Sequence, residues 1–364
     1  MEELHCIGCG SVLQSHDPKK PGFIPSSALA KSDEDIICRR CFRLKHYNEI
    51  LPIEVTQDDF YEIISNIGET DSLVVMIIDI FDIEGSLIPQ INKLTNHNDC
   101  VVLVNKRDLL PKSVSERKLL HHLRKILADS NLRPLEIFIM SAKRYHNIDT
   151  VMEAISNISG NRDIYVVGAT NVGKSTFINT LLKSYAASSN DIITVSEHMG
   201  TTLNVIKIPF DHNYIIDTPG IYNDHQIGNY LSPESLKIIT PKKEIKPRSF
   251  QLNPQQTLFI NGFARIDFVE GPWTSFICYF APMIKIHRTK LSNADDLYKN
   301  RRFDVLKYPL QEESFALIPH QLQIPTGKHD LILPGLGFIT IIGPAKIIAH
   351  VHQKTMPYIR EALI

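Results

Sequence analysis

The sequence predicts an α/β protein in which a mostly parallel sheet is covered by helices on both faces. A small cysteine-rich module precedes it and a β-rich α+β part follows. Three observations predict this. Between residues 51 and 225, strand-like apolar runs alternate with helical repeats, the pattern of a chain that crosses over between parallel strands. Residues 1–50 hold two CxxC pairs and few long apolar runs. Beyond residue 226 the texture becomes β-branched and aromatic, as in TLFINGFARIDFVEG (257–271) and SFICYFAPMIKIHR (275–288). The domains expected are therefore 1–50, 51–225 and 226–364.

In chain order, Thr56 opens a helical run that places Phe60, Ile63, Ile64 and Ile67 on one face. The strand SLVVMIID follows at 72–79, and further strands are expected at 100–104, 136–140, 164–167, 203–209 and 214–217. Helical patterns around 113–129, 147–157 and 174–184 separate most of them. The final HQKTMPYIREALI is expected to close the chain as a short helix. No internal repeat or low-complexity tract interrupts the sequence.

A chain of 364 residues, 43% hydrophobic, can bury a sizeable core. Its longest apolar run, 73–78, stops at Asp79, far short of the roughly 20 residues that cross a bilayer. Glu2, Glu3 and Cys6 stand where a signal peptide would be basic and then apolar, so a cytoplasmic protein with no membrane contact is expected. The net charge of −1 hides an asymmetry: residues 51–224 carry 15 Lys and Arg against 22 Asp and Glu, residues 225–364 carry 17 against 11. A basic C-terminal part suggests an anionic partner, nucleic acid first; the alternative is scattered solubilising lysines.

GATNVGKS, Gly168 to Ser175, matches GxxxxGK[ST] between a strand-like DIYVV and a helix-like STFINTLL. Such a loop cradles phosphates with its backbone N–H groups, here from Asn171, Val172 and Gly173 to Thr176 at the helix start. Lys174 reaches the β and γ oxygens, and Ser175 ligates Mg²⁺. DTPG, Asp217 to Gly220, supplies an aspartate for the Mg²⁺ shell and a glycine N–H for the γ-phosphate. Between them lies GTT at 200–202, where a threonine completes the Mg²⁺ shell; its distance from Gly200 favours Thr202 over Thr201.

NKRD and SAK supply base recognition. Asp108 can accept hydrogen bonds from guanine N1–H and N2–H₂, a donor pair that adenine lacks. Asn105 braces the loop and touches N7, Lys106 lies along the purine face, and within Ser141-Ala142-Lys143 the Ala142 N–H meets O6. All five motifs fall at the C-terminal ends of strands or in the loops between, where open α/β sheets bind ligands. Together they point to a GTPase that binds GTP and GDP.

The order is inverted. An ordinary GTPase runs phosphate loop, switch threonine, DxxG, NKxD, SAK; this chain runs NKRD, SAK, phosphate loop, GTT, DTPG. The same sheet forms if the original ends are joined, at SNISGNRD (156–163), and the chain is reopened just after DTPGI. The segment after DTPG, which moves with the γ-phosphate in GTPases, then leads straight into the basic C-terminal part.

This order, with CIGCG (6–10), ICRRCFRLKHYNEI (37–50), IDIFDIEGS (78–86), GTTL and IDTPGI, resembles the circularly permuted ribosome-assembly GTPases of the YqeH type. The resemblance covers the whole chain. It implies a zinc-binding N-terminal module, a permuted P-loop GTPase domain, and a C-terminal domain that binds RNA or protein. It also implies a role in small (30S) ribosomal subunit maturation, with rRNA or ribosomal proteins as partners. Met199 departs from the proline usual before GTT in such relatives.

Ras-like enzymes orient the attacking water with a glutamine after DxxG; here that position is Ile221, so intrinsic hydrolysis is expected to be slow. Asn171 offers a substitute. The NVGKS loop resembles those of potassium-stimulated GTPases, where this asparagine ligates a K⁺ placed like an arginine finger; the alternative is an asparagine that only shapes the loop. The groups expected to act in hydrolysis are thus Lys174, Thr202 and Asn171. His225 could instead position water.

Cys6, Cys9, Cys38 and Cys41 supply four thiolates in two knuckles, the arrangement of a closed structural zinc site, although the 28-residue spacer is longer than usual. Cys100 and Cys278 lie in apolar strands as core residues. Arg39, Arg40, Arg43 and Lys45 either grip phosphates or form a solvated helix face. In the C-terminal part, Lys285, His287, Arg288 and Lys290, then Lys299, Arg301 and Arg302 with Tyr298 and Phe303 interleaved, have the composition of an RNA surface. The expected function is a GTP-hydrolysing assembly factor, monomeric, whose nucleotide state controls association with a ribosomal precursor. The alternative is an RNA- or protein-binding module that uses GTP as a structural ligand with incidental hydrolysis.

Overall fold

The structure, a computed structural model, describes residues 4–29, 36–47, 49–51, 57–88, 91, 98–185, 206–210, 212–221, 223, 225–313 and 315–364. The chain divides into two compact units, Met1–Arg107 with Glu116–Asn223, and Asp108–Ser115 with Asp224–Ile364.

The first unit is built on a six-stranded sheet: β1 (Ser72–Asp79), β2 (Asp99–Asn105), β3 (Glu136–Ile139), β4 (Asp163–Gly168), β5 (Ile206–Phe210) and β6 (Asn213–Asp217). Its order is β3-β2-β1-β4-β6-β5. All neighbours are parallel except the hairpin pair β5 and β6. Residues Leu73 to Ile78 of β1 are fully buried, as a central parallel strand with both faces covered requires. Pro209 sits in β5, at the sheet's edge, where a missing N–H breaks no ladder. Counted from β4 as the first strand, the order becomes 6-5-4-1-3-2, which read backwards is 2-3-1-4-5-6. A chain opening at the phosphate loop would build the same sheet.

Covering helices follow from apolar spacing. Glu116–Asp129 buries Leu119, Leu123 and Leu127, and Ile148–Ser159 buries Ile148, Val151, Met152 and Ile155. In Gln57–Ile67, Phe60, Ile63, Ile64 and Ile67 are at most 3% exposed. Thr56 lies outside the described residues. The join is a tight turn from Gly160 to Arg162: Asn213 donates to the carbonyls of Gly160 at 3.1 Å and Arg162 at 2.9 Å. Arg162 in turn pairs with Asp99 at 2.9 Å.

The second unit is an antiparallel sheet of β7 (Arg248–Leu252), β8 (Gln256–Ile260), β9 (Ala264–Glu270), β10 (Thr274–Phe280), β11 (Ile286–Lys290), β12 (Leu317–Leu333), β13 (Gly337–His352) and β14 (Tyr358–Glu361). The path runs β11-β8-β9-β13-β10-β7, with β12 on the other edge of β13 and β14 on β12. β13 pairs β10 through its first residues and β9 through its last, so one long strand organises the whole unit. Where β12 and β13 shift register, a Cβ on Gly343 would lie 2.0 Å from the Pro325 carbonyl, so only glycine fits. The core is aromatic and branched, with Phe263, Phe268, Phe276 and Ile339 fully buried. Segment 108–115 groups with this unit by its own bonds: Ile245 N–H donates to the Leu109 carbonyl at 2.8 Å and Lys112 N–H to Glu244 at 3.3 Å.

One expectation is corrected. The C-terminal stretch ends in β14 and not in a helix, its Ile359 paired with Leu331 of β12. Pro357 removes a donor that a helix interior needs, and β12 offers an open edge to a Tyr-Ile-Arg-Glu segment. Among the described residues no helix is long and apolar enough to cross a membrane.

Candidate nucleotide site and cysteine cluster

β4 and β1 are neighbours whose chains continue to opposite sides of the sheet, which opens a crevice at their C-terminal ends. The phosphate loop leaves β4 there and enters the helix Lys174–Tyr185, whose first turn begins with Phe177 N–H on the Gly173 carbonyl at 2.9 Å. Asn171 (φ 65°) and Gly173 (φ 94°) take left-handed conformations that curl the backbone N–H groups inward. A Cβ on Gly173 would lie 2.3 Å from Asn105 Nδ2, so the loop needs glycine for space as well as for φ. Asn171 and Thr176 are exposed, Ser175 is half-buried and Lys174 is 7% exposed.

Asn105, at the end of β2, bridges two loops. Its amide donates to the Val172 carbonyl at 2.9 Å and its Oδ1 accepts from Ala142 N–H at 3.0 Å. That Ala142 N–H, expected to meet guanine O6, is thus engaged by Asn105 here. Ser141 is buried, accepting from Arg144 N–H at 3.1 Å, and Lys143 is exposed. Thr180 donates to the Ala142 carbonyl at 3.1 Å, tying the helix after the phosphate loop to the SAK turn. Lys106, left-handed at φ 69°, donates to Asp79 Oδ2 at 2.6 Å and to the Asn171 carbonyl. Asp108 sits half-buried in the short turn Arg107–Leu109 that follows.

Asp217 ends β6 at 1% exposure, with Lys174 Nζ on one oxygen and Arg40 Nη2 on the other at 2.5 Å. Burial pulls the Lys174 ammonium below the usual lysine range; Asp217 opposes this and Arg40 reinforces it. Thr170 N–H donates to the Ile221 carbonyl at 2.8 Å and Ile221 N–H to the Gly168 carbonyl at 3.2 Å, so DTPGI is stitched to the phosphate loop. Gly220 lies against Thr170, and Ile221 is 5% exposed. The buried, bridged Ile221 has no polar group with which to orient water. Gly200, Thr201 and Thr202 lie outside the described residues.

The four cysteine sulfurs of Cys6, Cys9, Cys38 and Cys41 lie within 4.8 Å of one another. Cys38 and Cys41 flank the start of the helix Arg39–Tyr47; a bond with Cys41 lowers the Cys38 thiol and one with Cys38 raises that of Cys41, and bonding to the Cys6 and Cys9 thiols together with burial leaves both raised. Hydrogen bonds from Cys38 and then Cys41 lower the Cys6 thiol to about 7 and hold Cys9 lower still. His5 turns to the Gly10 carbonyl at 3.0 Å and His46 packs on Phe42. Cys100 and Cys278 stand apart in β2 and β10, and burial pushes both thiols up to about 12.

Two family models match. Residues 163–246 match one described as 50S ribosome-binding GTPase, and residues 273–363 match one described as YqeH-like, C-terminal. Along its whole length the chain is 44% identical to a Bacillus subtilis protein named uncharacterized protein YqeH, covering 100% of both. The chain belongs to the YqeH-type GTPases. The chain is also similar to NO-associated protein 1, chloroplastic/mitochondrial, of Arabidopsis thaliana, 28% identical over 92% of this chain and 69% of that one, and to nitric oxide-associated protein 1 of Mus musculus, 25% identical over 98% and 72%.

As a YqeH-type GTPase, the protein binds GTP and cleaves it to GDP and phosphate. The groups such an enzyme needs fit the residues present. Four clustered thiols suit zinc: the 3.7 Å between the Cys9 and Cys38 sulfurs is close to the edge of about 3.8 Å in a tetrahedron with Zn–S bonds of ~2.3 Å. The Cys38 N–H to Cys6 Sγ bond at 3.1 Å is the kind of outer support a thiolate ligand takes. For Mg²⁺, the buried Asp217 carboxylate at the end of β6 is an oxygen donor of the kind that ion takes. Bound there, Mg²⁺ would neutralise charge on the transferring phosphate.

Three residues of this site are not evident from the motifs. Arg40 has a local signal, because it lies four residues before the buried Leu44 and so on the apolar face of its helix. Asp79, of IDIFDIEGS, pairs with Lys106, and the only cue is its place at a strand end. Asn179 exchanges bonds with the Ile50 backbone at 2.7 and 3.1 Å, and nothing in its spacing foretells that.

Proposed function

We propose that this GTPase is a cytoplasmic, monomeric assembly factor for the small (30S) ribosomal subunit whose nucleotide state sets its affinity for the precursor particle. The observation that carries the reading is connectivity. The main segment of the second unit begins at residue 224, shortly after the DTPG segment, which in GTPases senses the γ-phosphate. Work is divided as 1–50 for a structural zinc site, 51–225 for nucleotide, and 226–364 for rRNA or ribosomal protein.

Within the nucleotide domain, Asp108 selects guanine, Asn105, Lys106 and the Ser141–Lys143 turn hold the base, and residues 168–176 hold the phosphates. Ser175, Thr202 and Asp217 complete the Mg²⁺ shell, Gly220 meets the γ-phosphate, and Lys174 neutralises charge during transfer. K⁺ held by Asn171 stands in for a water-orienting glutamine; Asn171 is exposed, at φ 65° in the loop ahead of the helix.

The surface favoured for RNA is the edge strand β11 and the helix Leu291–Asn300 after it. Lys285 just before the strand and Arg288 and Lys290 on it are exposed, as are Lys299 and Arg301 at the far end of the helix. Arg302 stacks over Tyr298 at 5.2 Å and over the exposed Phe303 at 4.4 Å, an arrangement that meets bases and phosphates together.

Co-sedimentation with purified 30S and 50S particles in GDP, GTP and a non-hydrolysable analogue tests the proposal. Association with 30S particles that differs between GDP and the analogue is expected. Equal association in all three would favour GTP as a structural ligand, and binding to 50S alone would overturn the subunit assignment.

A further inference from the structure

Ile221 stands where Ras-like enzymes carry a water-orienting glutamine, and its side chain is all hydrocarbon. The residues set against it come from the phosphate loop. Ala169 pairs with Ile221 in a parallel bridge, Thr170 N–H donates to the Ile221 carbonyl at 2.8 Å, and Ile221 N–H donates to the Gly168 carbonyl at 3.2 Å. Of Gly168, Ala169 and Thr170, only Thr170 has a polar side chain. It also lies against the preceding residue of DTPGI: a Cβ built on Gly220 would be 3.4 Å from the Thr170 methyl and 3.5 Å from its Cα.

The Thr170 hydroxyl oxygen is buried and has no hydrogen-bond partner among the described residues. Other threonines of the same domain bond theirs: Thr218 donates to the Val166 carbonyl at 2.9 Å, and Thr180 to the Ala142 carbonyl at 3.1 Å. A buried hydroxyl left without a partner costs roughly 1–3 kcal/mol, a cost that valine, of similar shape, does not carry. Groups that break a local rule in this way collect at functional sites. The position of this one is specific. In GTPases the glycine of DxxG offers its N–H to the γ-phosphate, so the residue packed on Gly220 belongs to the part of the site where that phosphate meets the attacking water. K⁺ on the adjacent Asn171 would answer phosphate charge, but a cation holds water by its oxygen and accepts no hydrogen bond from it. A hydroxyl oxygen does accept one.

We propose that the Thr170 hydroxyl orients the water that attacks the γ-phosphate. Its oxygen accepts a hydrogen bond from that water, which turns a lone pair of the water toward phosphorus. In the step, the water oxygen bonds to the γ-phosphorus as the bond from that phosphorus to the β–γ bridging oxygen breaks, its electron pair leaving on GDP. The proton that the water gives up ends on inorganic phosphate, so Thr170 directs the water without keeping its proton. The role rests on the γ-phosphate meeting Gly220, and it is independent of the potassium site and of the ribosomal partner.

Single-turnover hydrolysis of Mg²⁺·GTP by full-length wild-type protein, Thr170→Val and Thr170→Ser tests the proposal. Thr170→Val keeps the shape and removes the hydroxyl, and its chemical step is expected to slow about tenfold or more, the worth of one hydrogen bond made in the transition state. Thr170→Ser restores the hydroxyl and is expected to stay within about threefold of wild type. Two further readouts separate orientation of water from architecture. The affinity of Thr170→Val for Mg²⁺·GDP and for a β,γ-imido analogue of GTP should hold within about twofold, since the lost bond is not made to the nucleotide. Its thermal midpoint should equal or exceed that of the wild type, because the substitution deletes an unpartnered hydroxyl. A Thr170→Val protein that cleaves GTP at the wild-type rate overturns the proposal, and so does a Thr170→Ser protein as slow as Thr170→Val. Equal losses of rate and of analogue affinity would make the hydroxyl a phosphate ligand, and a lower thermal midpoint would assign it to the fold; either overturns the water-orienting role. A wild-type protein that does not bind the analogue would undo the γ-phosphate site itself, a result distinct from these.

Discussion

Asn105 donates to the Val172 carbonyl at 2.9 Å, so the base-reading loop and the phosphate loop, 67 residues apart in sequence, are fixed to one another. The same side chain accepts from Ala142 N–H at 3.0 Å, and at 3% exposure it has little water to replace either partner. Asn105→Ala therefore leaves two backbone groups unsatisfied at about 1–3 kcal/mol each. Calorimetric titration is expected to show GDP affinity reduced about 10- to 100-fold, together with a fall in thermal midpoint of roughly 5 °C or more. Unchanged affinity would mean that the loops hold their places without it.

The cysteine cluster should carry one zinc per chain, measurable by native mass spectrometry. Cys38→Ser removes a ligand that also precedes the helix Arg39–Tyr47, where Phe42 N–H donates to the Cys38 carbonyl at 2.9 Å. Loss of zinc and of hydrogen-exchange protection in this helix is expected, because a module this small depends on its metal to fold. A chelator should reproduce both losses in the wild-type protein.

Potassium dependence separates two readings of Asn171. Turnover of GTP is expected to be at least several-fold faster in KCl than in equimolar NaCl, and Asn171→Ala should abolish the difference while leaving slow basal turnover. Equal rates in the two salts would sink the potassium site.

In the second unit, Asp267 joins three strands: it accepts from Thr257 at 2.6 Å, from Arg265 at 2.8 Å, and pairs with His350 at 2.9 Å. Burial alone would raise its pKa, but the bonds from His350, Arg265 and Thr257 outweigh burial and hold the carboxyl below the usual aspartate range. Since the folded pKa lies below the unfolded one, the unfolded chain takes the proton first as pH falls. The stabilisation is complete above the ordinary value of about 3.9 and is lost as pH drops through the folded value. Asp267→Asn should cost about 3 kcal/mol at neutral pH and flatten the loss of stability below pH ~4, as followed by urea unfolding.

Much of the first unit was legible because its signals are local. A fully apolar SLVVMIID reads as a central strand, and loops such as GATNVGKS declare their chemistry by composition. The permutation was legible for the same reason, since each motif stays at its strand end whatever the chain order. The second unit was harder. β12 and β13 draw their register from one another and from β9 and β10, contacts that no short window contains, and β14 reads as helix until the edge it completes is known. Arg40 shows the same limit. Its place four residues before Leu44 puts it on the buried face of its helix, but the partner Asp217 lies 177 residues away in the sequence.

The account turns on one guanine-nucleotide site assembled from motifs in inverted order, and Asp108→Asn tests it most directly. Aspartate accepts from both guanine N1–H and N2–H₂, whereas asparagine offers one acceptor and one donor, the match for xanthine with its O2. In equilibrium binding, Asp108→Asn should lose about a hundredfold or more of its affinity for GTP and gain affinity for xanthosine triphosphate. Undiminished GTP binding by that variant would contradict the account, because the early VNKRDL loop could then not be the one that reads the base.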